Sequence, residues 1–146
     1  MKILSDNKKA HFDYEILEKF DAGMILIGQE VKSIRLGRMS LAGSYVVFEK
    51  GEPYLIGAKI PPYQPKNAPS NYNDQRQRKL LLNKSEIDYL LGKTNQKGLT
   101  LVPIKVYTKG AVIKLEFGLA RGRKKHDKRE IIKKRETERE IRQSKF

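Results

Sequence analysis

Basic side chains are the most informative residues of this chain. Lys32 and Arg35 lie three positions apart in "EVKSIRLGR", and Arg76 and Arg78 alternate in "QRQRKLLLN". The first spacing places both cations on one side of a helix, and the second places both on one face of a strand. Such pairs commonly serve only to solvate a surface, but here 31 Lys and Arg stand against 17 Asp and Glu, a net charge of +14. This excess favours contacts with the phosphates of a nucleic acid.

Catalytic and metal-binding chemistry has much weaker support in the sequence. The two histidines, His11 and His126, have no Cys or carboxylate at metal-ligand spacing, and the chain contains no cysteine. Four scattered carboxylates could converge as a nuclease site, although their simpler interpretation is solvation of strand and helix faces: Asp13, Glu15, Glu30 and Asp74. No recognised catalytic motif is present. We therefore expect neither metal nor cofactor, and a protein that is not an enzyme.

An anionic membrane surface is the competing partner for so basic a chain. The opening "MKILSDNKKA" has no apolar run typical of a signal peptide, and the longest uncharged apolar stretch, residues 24–27, is far shorter than a bilayer span. We expect a cytoplasmic protein that binds nucleic acid and no membrane.

The elements that position the basic residues are predicted to be mainly β-strands. Residues 10–20 partly alternate apolar and polar side chains, with Gly23 permitting a bend or bulge afterwards. Residues 44–60 predict a hairpin, and residues 99–120 predict two strands about a Lys109-Gly110 turn. Pro103 favours an edge or a bulge in its strand.

Two short helices are predicted between these strands. "QEVKSIRLG" has helical spacing and a Gly37 placed to follow the last turn. "NKSEIDYLLG" pairs Asn83 with Glu86 at the spacing of a capping box, ahead of an apolar face. Between the helices, residues 61–76 predict a long polar loop whose Tyr63 and Tyr72 could stack on bases or pack.

Short antiparallel strands without a βαβ rhythm predict a mainly β fold, an OB-like antiparallel barrel with two short helices and a basic C-terminal tail. A β-sandwich is the alternative. We assign residues 1–120 to an RNA-binding domain and residues 121–146 to the tail. The tail has 12 Lys and Arg against 5 Asp and Glu, a net charge of +7. With few, scattered apolar residues, it is expected to be disordered when free and helical when bound.

Several blocks of the chain, taken in order, resemble the SsrA-binding protein family, also called small protein B. They are "NKKAHFDYEI", "GQEVKSIRLG", "SYVVFEKGEPYLIGAKIPPY", "RQRKLLLNKSEIDYLLG" and "GLTLVPIKVYTKGAVIKLEFGLARGRKKHDKR". The resemblance implies an OB-fold adaptor that binds the tRNA-like domain of transfer-messenger RNA and brings it to stalled ribosomes in trans-translation. It implies no catalysis by the protein, since alanyl-tRNA synthetase and an elongation factor act through the RNA.

The resemblance also implies which residues bind RNA and ribosome. The RNA-binding surface would comprise Asp21, Glu30, Lys32, Arg35, Arg78, Lys79, Leu81 and Asn83, and we add Arg76 from its spacing to Arg78. The simpler interpretations are an apolar strand residue for Leu81, a helix cap for Asn83 and helix solvation for Glu30. The tail residues would enter the decoding region and message channel of the small subunit: Gly122, Arg123, Lys124, Asp127, Lys128 and Arg129.

Three departures from the family pattern and one acidic residue stand out. Gln29 replaces a common Thr, Arg123 replaces a common Lys, and "NDQR" lacks the usual proline, which leaves the loop before Arg76 less rigid. Asp127 could orient Lys128 or Arg129, lie at a helix N-terminus, or simply be solvated. A structural ribosomal protein with a basic extension, and a nuclease, remain the alternative functions.

Overall fold

The computed structural model describes residues 1–123 and 125–144, except the side chains of residues 125–127 and 140–144. Its strands are β1 (Lys2–Asp6), β2 (Tyr14–Met24), β3 (Tyr45–Glu49), β4 (Glu52–Ile56), β5 (Arg78–Leu81), β6 (Leu99–Lys109) and β7 (Val112–Gly122). Its α-helices are α1 (Lys8–Asp13), α2 (Gly28–Arg35), α3 (Lys84–Thr94) and α4 (Lys125–Ser144), and a 3₁₀ turn covers Pro65–Asn67. None of these helices has the length and apolar character needed to cross a bilayer.

All seven strands belong to one antiparallel sheet in the order β1-β6-β3-β4-β5-β2-β7. A further ladder joins β6 to β7, from Leu99 opposite Arg121 to Lys109 opposite Val112. β7 also pairs with β2 from Lys114 to Gly122, so most of β7 lies between two long partners. The fold is therefore a mainly β antiparallel sheet with several short helices, as the sequence predicted at this level.

The core forms where the inward faces of these strands meet two helices. β7 buries Ile113, Leu115, Phe117 and Leu119, as its alternating pattern predicted. Phe117 stacks on Phe20 of β2 with ring centroids 5.8 Å apart. Ile34 of α2 and Leu90 of α3 are fully buried in the same cluster. The helices are thus attached to the sheet by their apolar side chains.

Several local predictions are confirmed. The hairpin is β3 and β4, and the strands about Lys109-Gly110 are β6 and β7. The two predicted helices are α2 and α3, and Gly37 follows α2 with φ +74°. The register of β6 shifts between Pro103 and Lys105, which is the bulge expected at this proline.

The prediction for the N-terminal part was wrong in three places. Lys2–Asp6 forms strand β1, which was not predicted. Residues 10–13 lie in helix α1 rather than in a strand, because Ala10 packs on Val102 and Ala120 in a small satellite core. Gly23 neither bends nor bulges: it pairs with Leu81 and Lys114, and the shift in β2 lies between Ile16 and Glu18.

The end of the body also differs from the predicted boundary. β7 continues to Gly122, and the Arg123 N–H donates to the Asp13 carbonyl oxygen at 2.9 Å. A boundary between residues 120 and 121 would therefore cut through a paired strand. Helix α4 begins at Lys125, so the number of helices exceeds the predicted two. That the tail is disordered when free stays a prediction.

Gly118→Ala is expected to destabilise the body. A Cβ at this position would lie 2.8 Å from Ile16 Cγ2 and 3.3 Å from the Glu18 carbonyl oxygen, beside the shift in β2. Overpacking of this kind costs about 1–3 kcal/mol of the free energy of unfolding, measured by urea titration.

Gly92→Ala is the matched control for this substitution. Gly92 lies in α3, and an added Cβ there meets no described atom within 4 Å. Helix propensity alone should then stabilise the protein by up to about 1 kcal/mol. Equal stability of the two variants would contradict the packing assigned to Gly118.

Candidate nucleic-acid interface

Glu30, in the first turn of α2, is a buried carboxylate at the centre of the candidate site. Its side chain has 0% exposure, and Oε1 accepts a hydrogen bond from the Ile27 N–H at 2.9 Å. This bond satisfies a backbone donor that the start of the helix would otherwise leave unpaired. An acidic group is also favoured at this end of the helix dipole.

Two arginines from the β5 segment neutralise Glu30. Arg78 is itself fully buried, and its Nε and Nη2 lie 2.7 Å and 2.6 Å from Glu30 Oε2. The same guanidinium donates to the carbonyl oxygens of Ala58, at 2.8 Å, and Asp74, at 3.1 Å. Arg76 Nη2 donates to Glu30 Oε1 at 2.5 Å. We call Glu30, Arg76 and Arg78 the ion-pair hub.

The ion-pair hub keeps Glu30 ionised inside the protein. Burial alone would raise the pKa of this carboxyl, but the hydrogen bonds from Arg76, the Ile27 N–H and Arg78 outweigh it and lower the pKa below its ordinary value. A buried charge is tolerated when its partners are charged and its oxygens are hydrogen-bonded. The hub therefore joins α2, β5 and the chain between β4 and β5.

Exposed cations surround the ion-pair hub. Lys32 lies on the solvent side of α2, with Nζ 5.5 Å from the centroid of the Tyr63 ring. Arg35 donates from Nη2 to the Ala111 carbonyl oxygen at 2.8 Å, which fixes its direction toward the β6–β7 turn. Lys79 is partly exposed and pairs with Glu52 at 3.4 Å. The structure therefore leaves Lys32, Arg35 and Lys79 accessible to a phosphate.

A shallow groove of about 300 Å³ lies beside Arg35. It is lined in part by Leu81 and Val112, which are 55% and 53% exposed, and by the cations Arg35 and Lys114. Apolar side chains flanked by cations suit an unpaired nucleotide, whose base can lie on the apolar surface while its phosphate meets the charges. We call this feature the Leu81 groove.

Sequence reasoning missed Val112 and Lys114 as members of the Leu81 groove. Both lie on β7 close to the Lys109-Gly110 turn. The signal was their proximity to a predicted turn, but nothing in the spacing shows that this turn folds next to α2.

The loop between β4 and β5 is held against α2 by polar contacts. Gln29 Oε1 accepts from the Gln64 N–H at 3.2 Å, and Arg38 Nη1 donates to the Tyr63 carbonyl oxygen at 3.2 Å. The Tyr72 hydroxyl donates to the Ile60 carbonyl oxygen at 2.6 Å, so Tyr72 serves as an internal anchor. Gln29 thus helps to hold this loop against α2.

Two predicted RNA-binding residues have partners within the body. Asp21 Oδ1 accepts from the Tyr107 hydroxyl at 2.7 Å, and burial together with this bond raises the pKa of Tyr107 to about 12. Asn83 Oδ1 accepts from the Glu86 N–H at 2.9 Å, and Glu86 Oε1 accepts from the Asn83 N–H at 3.3 Å. The predicted capping box is confirmed, so Asn83 is the N-cap residue that precedes α3.

The predicted tail residues are only partly described. Gly122 ends β7, Arg123 lies between β7 and α4, and Arg129 is exposed on α4. Lys128 Nζ lies 3.1 Å from Asp13 Oδ1. Lys124 lies outside the described residues. Asp127 is the third residue of α4, and its side chain lies outside the described part.

The carboxylates considered for a nuclease do not form a metal site in the described part of the chain. No group of three or more His, Asp or Glu residues is placed to hold an ion there. Glu30 is neutralised by two arginines, and Asp74 lies 3.9 Å from Lys59. In the described part of the chain, these two carboxylates thus lie in charge contacts with Arg and Lys side chains.

Glu30→Gln is expected to lower the free energy of unfolding by about 3–5 kcal/mol at neutral pH, because it leaves Arg78 buried without its counter-charge. The folded-state pKa of Glu30 lies below its ordinary value of 4.5, so the stabilisation is complete above about pH 4.5 and is lost as the pH falls through the folded-state value. The variant should therefore lose less stability on acidification than the wild type, as urea titrations across this range can measure.

Glu52→Gln provides the control for charge removal. Glu52 pairs with Lys79 at 3.4 Å, and both side chains are more than two-fifths exposed. Loss of such a pair costs less than about 1 kcal/mol. If the two Gln variants were equally stable, the ion-pair hub would have no special role in the fold.

Comparison with known proteins gives consistent matches over most of the chain. The family model described as SmpB protein matches residues 4–145. The SsrA-binding protein of Carboxydothermus hydrogenoformans is 53% identical over 140 residues, covering 96% of this chain and 93% of the relative. That of a Nitratiruptor species is 50% identical over 143 residues, covering 97% of this chain and 95% of the relative.

A solved structure matches at the level of the fold as well. The structure described as "tmRNA-SmpB: a journey to the center of the bacterial ribosome" is 50% identical in sequence and superposes with a TM-score of 0.68, covering 82% of this chain and 84% of the other. The chain therefore belongs to the SmpB protein family.

Proposed function

We propose that this protein binds transfer-messenger RNA and delivers it to stalled ribosomes in trans-translation. The observation that carries the proposal is the match along nearly the whole chain to SmpB proteins, including one named with tmRNA and the bacterial ribosome. The net charge of +14 suits two RNA partners. The protein acts as an adaptor in the cytoplasm, and it contacts alanyl-tRNA synthetase and the elongation factor only indirectly, through the RNA.

The RNA-binding residues divide into contacting and positioning groups. Lys32, Arg35 and Lys79 are accessible and meet the RNA backbone, while Leu81 offers an apolar surface to a base. Glu30 and Arg78 have no exposed side chain, so they act by holding α2 and β5 in register. Arg76 does both, because it pairs with Glu30 and remains 37% exposed.

Asp21 and Asn83 belong to the positioning group with Glu30 and Arg78. Asp21 is occupied by Tyr107, and Asn83 caps α3 next to β5. Both contribute to RNA binding by fixing backbone that leads into the Leu81 groove.

We propose that this sheet closes into an OB-like barrel. It is supported by a series of ladders that returns on itself through β6, β3, β4, β5, β2 and β7, each strand pairing with the next and β7 with β6. A closed sheet leaves few unpaired edges and presents a rigid wall to the RNA.

The body binds the RNA, and the tail contacts the ribosome. The tail, residues 121–146, enters the decoding region and message channel of the small subunit through its predicted residues: Gly122, Arg123, Lys124, Asp127, Lys128 and Arg129. Its charge of +7 supports contact with ribosomal RNA.

The function is tested by recovering the RNA that binds the protein in a bacterial lysate. The wild type should enrich one abundant RNA with a tRNA-like domain. Arg35→Ala should bind this RNA more weakly and lower the magnitude of the slope of log affinity against log salt by about one, because one phosphate contact is lost. Lys97→Ala is the control, since Lys97 is an exposed cation in the turn after α3.

Other outcomes assign a different function. Equal presence on all ribosomes would make the chain a structural ribosomal protein, and metal-dependent RNA cleavage would make it a nuclease. If the wild type and Arg35→Ala had the same affinity and the same salt dependence of affinity, Arg35 would not contact the RNA. Arg78→Ala does not test this contact, because loss of a buried charge partner lowers stability first.

The tail motif is tested by replacing Asp127, Lys128 and Arg129 together with Ala. This replacement changes the net charge by only −1, so a large loss of ribosome rescue would show that the arrangement matters beyond bulk charge. Binding to the isolated tRNA-like RNA should persist because the body carries that interface. As a control for charge alone, Arg135→Ala also changes the net charge by −1. Wild-type rescue by the triple variant would contradict a specific role for the motif.

A further inference from the structure

Tyr63 and Tyr72, the two tyrosines of the loop between β4 and β5, are held in different ways. The Tyr72 hydroxyl donates to the Ile60 carbonyl oxygen at 2.6 Å, so this side chain is tied to its own loop. The Tyr63 ring is partly exposed and lies beside an exposed cation of another element, since Lys32 Nζ of α2 is 5.5 Å from the ring centroid. The Tyr63 ring is therefore the one that lies at the candidate interface.

Polar contacts fix the backbone around Tyr63 without using its ring. Arg38 Nη1 donates to the Tyr63 carbonyl oxygen at 3.2 Å. The next residue, Gln64, donates from its N–H to Gln29 Oε1 of α2 at 3.2 Å. Gln64 also accepts two hydrogen bonds from Asn67, one at its carbonyl oxygen at 3.0 Å and one at Oε1 at 2.6 Å. Because none of these bonds involves the aromatic ring, the ring can take a new partner while the loop stays in place.

The surface next to the Tyr63 ring is concave. A shallow depression of about 510 Å³ is lined by five consecutive residues, 63–67, which include Pro65 and the exposed Lys66. Lys32 supplies a second exposed cation beside the ring. An aromatic ring with two cations close by suits a nucleotide, because the base can stack on the ring while the phosphate meets the charges.

This depression is separate from the Leu81 groove. The groove is lined by residues of β2, α2, β5 and β7, whereas the depression is lined by the loop alone. Lys32 and Arg35 are three residues apart on α2, which places their Cβ atoms about 5–6 Å from each other. Helix α2 thus has one cation beside the Tyr63 ring and another beside the Leu81 groove.

We propose that Tyr63 is a stacking site for an unpaired base of the bound RNA, and that Lys32 contacts the phosphate of the same nucleotide. In the free protein the Lys32 ammonium lies by the ring, and a cation–π contact at an exposed site is weak. A phosphate is the stronger partner, because both groups of that hydrogen bond are ionised. Lys32 therefore turns to the phosphate, and the base takes its place on the ring. The site rests on the proposed function, since its ligand is the RNA named there.

The ring is tested first by substitution, with the affinity for the tRNA-like RNA as the measurement. Tyr63→Phe keeps the ring and should bind like the wild type. Tyr63→Leu removes the ring and keeps the backbone contacts, and it should bind at least about fivefold more weakly, the lower end of what one base–aromatic stack contributes. Tyr89→Leu is the matched control and should bind like the wild type, because Tyr89 is 41% exposed on α3 and has Lys93 Nζ 5.6 Å from its ring.

Two results of this series would overturn the stack. One is equal affinity of Tyr63→Leu and Tyr89→Leu. The other is an equal loss in Tyr63→Phe and Tyr63→Leu, which would assign the effect to the hydroxyl group. Urea titration of each variant shows that the loss of affinity is not a loss of folding.

A double-mutant cycle tests whether Lys32 and Tyr63 hold the same nucleotide. Lys32→Ala combined with Tyr63→Leu should weaken binding by less than the product of the two separate losses, because each loss already loosens the shared nucleotide. Lys79→Ala combined with Tyr63→Leu is the control, and its losses should multiply, since Lys79 lies on β5. Losses that multiply in both pairs would overturn the shared nucleotide.

A fluorescence signal separates stacking from a structural role of the ring. The chain contains no tryptophan, so Tyr63→Trp introduces a single indole. A base stacked on an indole quenches its fluorescence, so saturation with the tRNA-like RNA should quench Tyr63→Trp strongly and Tyr89→Trp little. A fully paired RNA duplex should quench Tyr63→Trp less than the tRNA-like RNA does. Binding itself is followed separately, by the anisotropy of a dye attached to the RNA.

The two signals distinguish failure of the stack from failure of the proposed function. Binding that quenches Tyr63→Trp and Tyr89→Trp equally would overturn the stack. Equal quenching of Tyr63→Trp by the duplex and the tRNA-like RNA would overturn its assignment to an unpaired base. A wild-type protein that gives no anisotropy change with the tRNA-like RNA would instead refute the proposed function.

Discussion

The buried pair of Glu30 and Arg78 is the constraint on which the candidate interface depends. Neither side chain is exposed, and Arg78 also donates to two carbonyl oxygens, so its position fixes parts of the chain that are distant in sequence. Two charges lose their hydration when buried, so the net gain from such a pair can be small. Its value is specificity, because any other packing of α2 on β5 leaves a buried charge unpaired.

The pair of Glu30 and Arg78 fixes the positions of the accessible cations relative to one another. Arg35 lies on the helix that Glu30 begins, and Lys79 and Leu81 lie on the strand that carries Arg78. Because the ion pair joins α2 to β5, the exposed groups on these two elements keep the same spacing in the free protein. An interface that is already arranged loses less conformational entropy on binding, and more of its contact energy remains as affinity. A residue can therefore matter to RNA binding without touching RNA.

The sequence predicted the features that arise from a local residue pattern. It missed those that depend on contacts between residues far apart in the chain. The alternating residues of β7, the capping box of Asn83 and the bulge at Pro103 each arise from a local pattern, and each is confirmed. Helix α1 was missed because its helical state depends on Ala10 reaching Val102, far along the chain. The resemblance supplied Glu30 and Arg78 as site residues, but spacing could not show that they are buried together. Burial is decided by neighbours from several elements, which a single pattern does not contain.

The tail is a very basic segment, and one of its lysines, Lys128, contacts an acidic side chain of the body, Asp13. Twelve cations in 26 residues repel one another, and they disfavour a compact arrangement near a body that is itself positive. Asp13 reduces this repulsion at one point, where Lys128 and the Arg123 backbone meet α1. The remaining positive charge then stays on exposed turns, available to the phosphates of a partner.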